Sequence, residues 1–216
     1  MKTNYISTFK GNRFYPLEQK IDKIDIEDVA HGLAYQCRFN GQTNQFYSVA
    51  QHSVMVAKLV PEHMQLAALL HDASEAYVGD MVKPLKMLLP EYSLIEDAVT
   101  NLIADQFSLE RGFNAKAEIK LADMTALATE KRDLMPYSNE DWSYLVGFNP
   151  LSEIIEPLDP GDAKNAFLNT WNRINNASTS QVLQGEQNFK TSVEAFGSRE
   201  LMYKVRDASS ILTSIL

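Results

Sequence analysis

The stretch LAALLHDASEAYVGD, residues 66–80, decides how the chain reads. Wound as a helix at about 100° per residue, the segment 62–78 places Leu66, Leu69, Leu70, Ala73 and Tyr77 on one stripe, with His71, Asp72 and Glu75 on the opposite side. A merely solvated face would mix Lys or Arg among such acids, yet residues 65–79 contain neither. The neighbours on the polar side are Ala67, Ala68 and Gly79. Small residues there let another element pack closely over the histidine and the acids.

Two other segments pose matching questions. His52, in SVAQHS at 48–53, shares its helix face with Val49, Val56 and Leu59, so it is predicted to be buried. Taken alone, such a histidine is more often a core residue hydrogen-bonded to backbone than a ligand. Asp123, in IKLADMTALATEKRD at 119–133, falls beside Ile119, Ala126 and Leu127, with Glu130 two turns further along the same stripe. Acids on a core-facing stripe are costly unless paired, protonated or bound to a cation. One metal site would answer all three questions together. Two imidazoles with two carboxylates suit one divalent transition metal (Zn, Mn, Co, Fe or Ni) better than calcium, which favours all-oxygen shells.

Helical periodicity recurs near 26–36, 48–60, 62–78, 91–107, 115–135 and 161–176, which makes the fold class all-α. Ser48 with Gln51 has the capping-box form, the Ser oxygen accepting from an early amide and the Gln reaching back. Pro61 with Glu62 marks the next start, and Gly79, Pro84 and Pro90 leave GDMVKPLKMLLP as a loop. The first 25 residues, with Gly11, Pro16, Phe14 and Tyr15, read as extended chain, one arm of a small β-hairpin. Residues 1–175 form the expected main domain. Residues 176–216 give a polar linker and a last helix carrying Leu201, Val205, Ala208, Leu212 and Ile215, suited to docking on the domain or on a second copy in a homo-oligomer.

The 216 residues suit one domain with an appendage. A net charge of -8 argues against a broad nucleic-acid surface, while a small phosphate ester needs only a metal and one or two local cations. No apolar run approaches the ~20 residues of a bilayer span and no leader pattern is present, so no membrane contact and a cytoplasmic location are expected. The single Cys37 leaves metal binding to His and carboxylates. His31 and His63 read as surface or helix-end residues, Lys83, Lys131 and Arg132 as solvated, and Trp142 and Tyr144 as core before base-stacking.

SVAQHS at 48–53, LLHDASEAYVGD at 69–80 and LADMTALATEKRD at 121–133, taken in that order, resemble the HD-domain phosphohydrolases, named for an adjacent His-Asp pair with a further His before it and an Asp after it. The resemblance spans roughly residues 5–175. It is nearest to the bacterial and phage members that act on nucleotides, the 5'-deoxynucleotidases and the phage deoxyadenosine triphosphate triphosphohydrolases. It implies an HD-domain helical bundle with His52, His71, Asp72 and Asp123 as metal ligands. Glu75 would orient or deprotonate the attacking water, and Asp80 would complete the acid-base apparatus. Arg38 and Lys86 would face the substrate phosphate. Glu130 reads separately as a residue behind the ligands or in an ion pair, since four ligands already complete the set.

The activity so implied is divalent-metal-dependent hydrolysis at the 5' phosphoester of a nucleotide, with a deoxynucleoside monophosphate as the first substrate and a deoxynucleoside triphosphate as the second. A non-catalytic nucleotide-sensing module is the alternative of another class. Phosphodiesterase and di-iron oxygenase readings both want further histidines. The chain has four, with His31 and His63 badly placed for a second ion.

Overall fold

A computed structural model describes residues 4–137, 142–177 and 187. The chain divides into two compact units, Met1–Asn172 and Arg173–Leu216. In the second, residues 173–177 and 187 are helical. The predicted docking helix around Leu201 to Ile215 lies outside the described residues, as does most of the polar linker.

The first unit is helical with a small sheet at its start. Strands β1 (Ile6–Ser7), β2 (Arg13–Tyr15) and β3 (Lys20–Ile21) form an antiparallel sheet in the order β1-β2-β3, with Phe14 opposite both Ile6 and Ile21. The extended reading of the N-terminus therefore holds, with three strands where one hairpin was expected. Phe14 is buried and meets Tyr77 edge-on, at 5.7 Å between ring centroids. The sheet is also tied to the first helix through buried Asp28, which accepts from Thr8 Oγ1, the Lys10 amide and Asn12 Nδ2, each at 2.7 Å.

Helix α1 (Ile26–Tyr35) starts where the Asp25 side chain accepts from the Glu27 amide. Helix α2 (Val49–Lys58) starts where Ser48 Oγ accepts from the Gln51 amide at 3.1 Å, as the sequence predicts. The reciprocal half of the capping box is absent. The Gln51 amide group instead clamps the extended segment 151–158, donating to Glu156 O at 2.8 Å and accepting from Leu158 N at 2.9 Å. The same segment is fastened to α7 (Ala117–Leu134). Thr129 Oγ1 accepts from Leu151 N, Asp133 Oδ2 accepts from Ile155 N, and Arg132 donates to the carbonyls of Leu151 and Glu153. Arg132, though exposed, is thus a fastener rather than a solvated cation.

The predicted continuous helix 62–78 is broken. A 3-10 turn (Glu62–Met64) leads into α3 (Gln65–Leu69), and the chain makes tight turns before α4 (Glu75–Val78). The cause lies at the His-Asp pair. Ala68 O accepts from His71 Nδ1 at 2.8 Å and from the His71 amide at 3.5 Å, so a side chain has taken over the carbonyl that the α-helical ladder would use. Bonds three residues apart then carry the chain onward, Ala73 N to Leu70 O and Glu75 N to Asp72 O. Burial follows: His71 and Glu75 lie inside with Leu69, Leu70 and Ala73.

The loop GDMVKPLKMLLP contains a single helical turn, α5 (Lys83–Lys86), ahead of α6 (Pro90–Gln106), which has proline in its first turn. Residues 160–172 of this unit form a further helix, α8. The core gathers Val29, Leu33, Val56, Leu69, Leu70, Ile103, Phe113, Ile119 and Phe167. Tyr144 is half exposed and Trp142 intermediate, stacked on each other at 5.8 Å, so neither closes the core as predicted. No helix among the described residues is long and apolar enough to cross a membrane.

Candidate metal centre

Three segments bring their polar groups to one place. His52, from the second turn of α2, is fully buried, and His71 is nearly so. Their Nε2 atoms lie 3.3 Å apart. Asp72 Oδ2 stands 3.1 Å from His71 Nε2 and 3.5 Å from His52 Nε2. The donor atoms of His52, His71 and Asp72 all fall within 4.8 Å of one another, a group that can hold a metal ion. From α7, Asp123 Oδ1 comes to 3.3 Å from His52 Nε2, and its Oδ2 lies 3.7 Å from Lys120 Nζ.

The chemistry of the donors fits a cation. A carbonyl only accepts, so the bond to Ala68 O requires a proton on His71 Nδ1. The bond from His52 Nδ1 to Glu130 Oε1, 2.7 Å long, requires the same of His52. Both rings therefore turn their Nε2 atoms toward each other and toward Asp72, and that of His52 toward Asp123 as well, an arrangement that needs a proton or a metal at its centre. Ligand bonds of about 2.0–2.2 Å imply donor-donor edges of about 3.0 Å in an octahedron and about 3.4 Å in a tetrahedron. The observed separations of 3.1 to 3.5 Å are of that size.

The surrounding charges are set by burial and by one another. Burial works against the Asp72 carboxylate, but His71, His52 and Arg38 hold it well below the usual carboxylate range. Asp123 is likewise opposed by burial and brought down to about 2 by its bond to His52 and that ring's charge. His52 moves the other way. Burial and Arg38 press its imidazolium down, and Glu130 with Asp123 outweigh them, raising it to about 9.

Glu75 is a different kind of acid. Burial raises it well above an ordinary carboxyl, and the charges of Asp72 and Asp80 add to that. Its Oε2 is buried without a hydrogen-bond partner. Asp80, half-buried, is raised by burial and by Asp72.

Arg38 is mostly buried and lies between two acids. Its Nε and Nη2 donate to Glu130 Oε2 at 3.2 and 3.1 Å, and Nη1 is 3.8 Å from Asp72 Oδ2. Its backbone is pinned to the start of α2, since Arg38 N donates to Tyr47 O and Cys37 bridges to Ser48. The next residues, Phe39 and Asn40, have φ of 54° and 52°. Left-handed backbone at a phenylalanine is rare and holds the turn in one shape.

Lys86 is placed less simply. Its Nζ pairs with Glu96 Oε1 at 2.7 Å, within range of the charges of Glu75 and Asp72. The structure thus gathers His52, His71 and Asp72 into one group, sets Asp123 against His52 alone of the three and Arg38 against Asp72, and places Glu75, Asp80 and Lys86 around them. Sequence reasoning missed the placement of Lys120 beside Asp123, which its spacing of three residues on one helix could have shown. Buried Tyr47, whose hydroxyl is raised by burial and by Glu130, gave no signal in the sequence.

These features define a helical protein with a buried His-Asp group able to hold a metal. No family model matches the sequence. The chain is 40% identical over 171 residues to the uncharacterized protein YfdR of Escherichia coli strain K12, spanning 78% of this chain and 94% of that one. It is 35% identical over 159 residues to an uncharacterized protein of Rhodobacter capsulatus, spanning 68% and 81%. The chain belongs to the family that YfdR represents.

Proposed function

We propose that this protein is an HD-domain phosphohydrolase that removes phosphate from the 5' position of a nucleotide, a deoxynucleoside monophosphate first among candidates. The observation that carries the reading is the meeting of the His52 and His71 Nε2 atoms with the Asp72 carboxylate within 4.8 Å, with Asp123 3.3 Å from His52 Nε2, beside a buried acid with an unpartnered oxygen. A structural ion needs no such acid.

His52, His71, Asp72 and Asp123 would hold one divalent transition metal. When bound, such an ion supplies Lewis acidity to a phosphoryl oxygen and lowers the pKa of water. Glu75, which holds its proton more tightly than an ordinary carboxyl, shares proton transfer with Asp80. Water attacks phosphorus, the bond from phosphorus to the ribose 5' oxygen breaks, and one of these acids supplies the proton that the leaving oxygen takes up. Arg38 directs Nη1 toward the group and offsets charge on the nonbridging oxygens, where it counts most in the transition state. Lys86 joins it by exchanging Glu96 for phosphate.

The test is to incubate metal-loaded protein with a panel of ribo- and deoxynucleoside mono- and triphosphates and to identify products by chromatography. Nucleoside with free phosphate supports the nucleotidase. Nucleoside with intact tripolyphosphate makes it a triphosphohydrolase. Nucleotide binding without turnover, in wild type and in Asp72→Ala alike, overturns the enzyme in favour of a sensing module.

A further inference from the structure

We infer that Glu130 is the positioning residue of this site, one carboxylate that aims a metal ligand with one oxygen and the phosphate-binding arginine with the other. The inference rests on the metal-centre reading above and adds the residue that couples its two halves.

The residue is fully buried. A carboxylate in that setting is costly unless its lone pairs are filled, and three donors fill them. Oε1 accepts a hydrogen bond from His52 Nδ1 at 2.7 Å, while Oε2 accepts from both Nε and Nη2 of Arg38, at 3.2 and 3.1 Å. Each bond removes a particular freedom. With Nδ1 held, the His52 ring cannot flip, and its Nε2 lone pair stays directed at His71, Asp72 and Asp123. With Nε and Nη2 both engaged on one side, the guanidinium plane is fixed and Nη1 is the corner left toward Asp72, 3.8 Å away.

The helix makes this possible. Glu130 follows Asp123 by seven residues on α7, two turns and about 10.5 Å along the axis. One rigid element therefore presents Asp123 to the metal group and, two turns on, the carboxylate that orients two further groups. A merely structural ion pair between Arg38 and Glu130 would not need the second oxygen on His52.

The test compares wild type, Glu130→Gln, Arg38→Gln and the double variant, all checked for helical content by circular dichroism. Titration with manganese alone reads the His52 half. Titration of the manganese-saturated protein with inorganic phosphate reads the Arg38 half. A glutamine has one accepting oxygen, so it cannot serve both partners, and without the negative charge it is a weaker acceptor for the His52 ring even when Arg38 is absent. Glu130→Gln should weaken manganese binding about 10- to 100-fold and phosphate binding by roughly tenfold. In the Arg38→Gln background, Glu130→Gln should still weaken manganese binding and no longer change phosphate binding, a pattern that general loss of structure does not produce. Glu130→Asp, which keeps the charge and shortens the reach, is read the same way if the Gln variant does not fold. Wild-type manganese uptake that the Glu130 variants leave unchanged, or a phosphate effect that persists without Arg38, overturns this inference alone. A wild type that takes up no ion overturns the metal-centre reading with it.

Discussion

Replacing Gly32 by alanine tests how the site is built from below. Gly32 lies in α1 where α4 crosses it, and a Cβ placed there would stand 2.9 Å from both Cβ and O of Ala76 and 3.0 Å from its Cα. Carbon atoms in contact ordinarily keep about 3.5–4.0 Å, so the helices must separate by several tenths of an ångström. Two of the obstructing atoms are backbone and cannot rotate away. Overpacking costs about 1–3 kcal/mol, and obstruction by backbone puts this position in the upper half of that range, about 2–3 kcal/mol, while alanine's better helix propensity returns about 1 kcal/mol. The net expectation is about 1–2 kcal/mol of destabilisation, a fall in Tm of about 2–8 °C for a unit of this size. Ala76 directly follows Glu75, so turnover should fall as well, with metal content unchanged. Thermal unfolding by circular dichroism reads the first effect, and kcat with metal analysis the second. A Tm equal to or above wild type would show that α1 and α4 have room to spare and would refute the packing argument.

Other perturbations separate the parts of the site. Asp123→Ala should lose metal and activity together, whereas Glu75→Gln should keep the metal and lose about 10²–10⁴ in kcat; metal analysis beside the kinetics checks the order. Metal must displace the Nε2 proton of His52, which the metal-free protein holds up to about 9, so manganese affinity should rise about tenfold per pH unit between pH 7 and 8 and level off above pH 9. Uptake that does not vary with pH in that range contradicts it. The same raised value stabilises the metal-free fold below the ordinary 6.5, and that contribution is lost as pH rises through about 9. Ser48→Ala, which removes the cap of the helix bearing His52, should lower stability by about 1 kcal/mol in denaturant unfolding.

The parts of the fold legible in the sequence were those governed by local signals. The cap at Ser48 and the helical periods near 91–107 and 115–135 each depend on near neighbours, and the structure has helices there at Val49–Lys58, Pro90–Gln106 and Ala117–Leu134. The break between α3 and α4 was not legible, because the competitor for Ala68 O is the side chain of His71, whose ring is turned by contacts with distant residues. Gln51 shows the same limit: the capping partner suggested by spacing lost to carbonyl and amide groups over 100 residues away. For the site, His52 inside an apolar face and Asp123 inside an apolar stripe were readable as local contradictions, and the structure resolves them at one point. The double engagement of Glu130 was only half readable, since spacing places it on the stripe of Asp123 but says nothing of Arg38 on another segment.

The most direct test of the account is the metal stoichiometry and anomalous scattering of crystals of the purified protein soaked in manganese. The account predicts one ion per chain, bonded to His52 Nε2, His71 Nε2, Asp72 and Asp123, with hydrolysis of a 5' nucleotide lost on chelation and restored on reloading. An ion bound elsewhere, or full hydrolysis by protein shown to contain no transition metal, contradicts it.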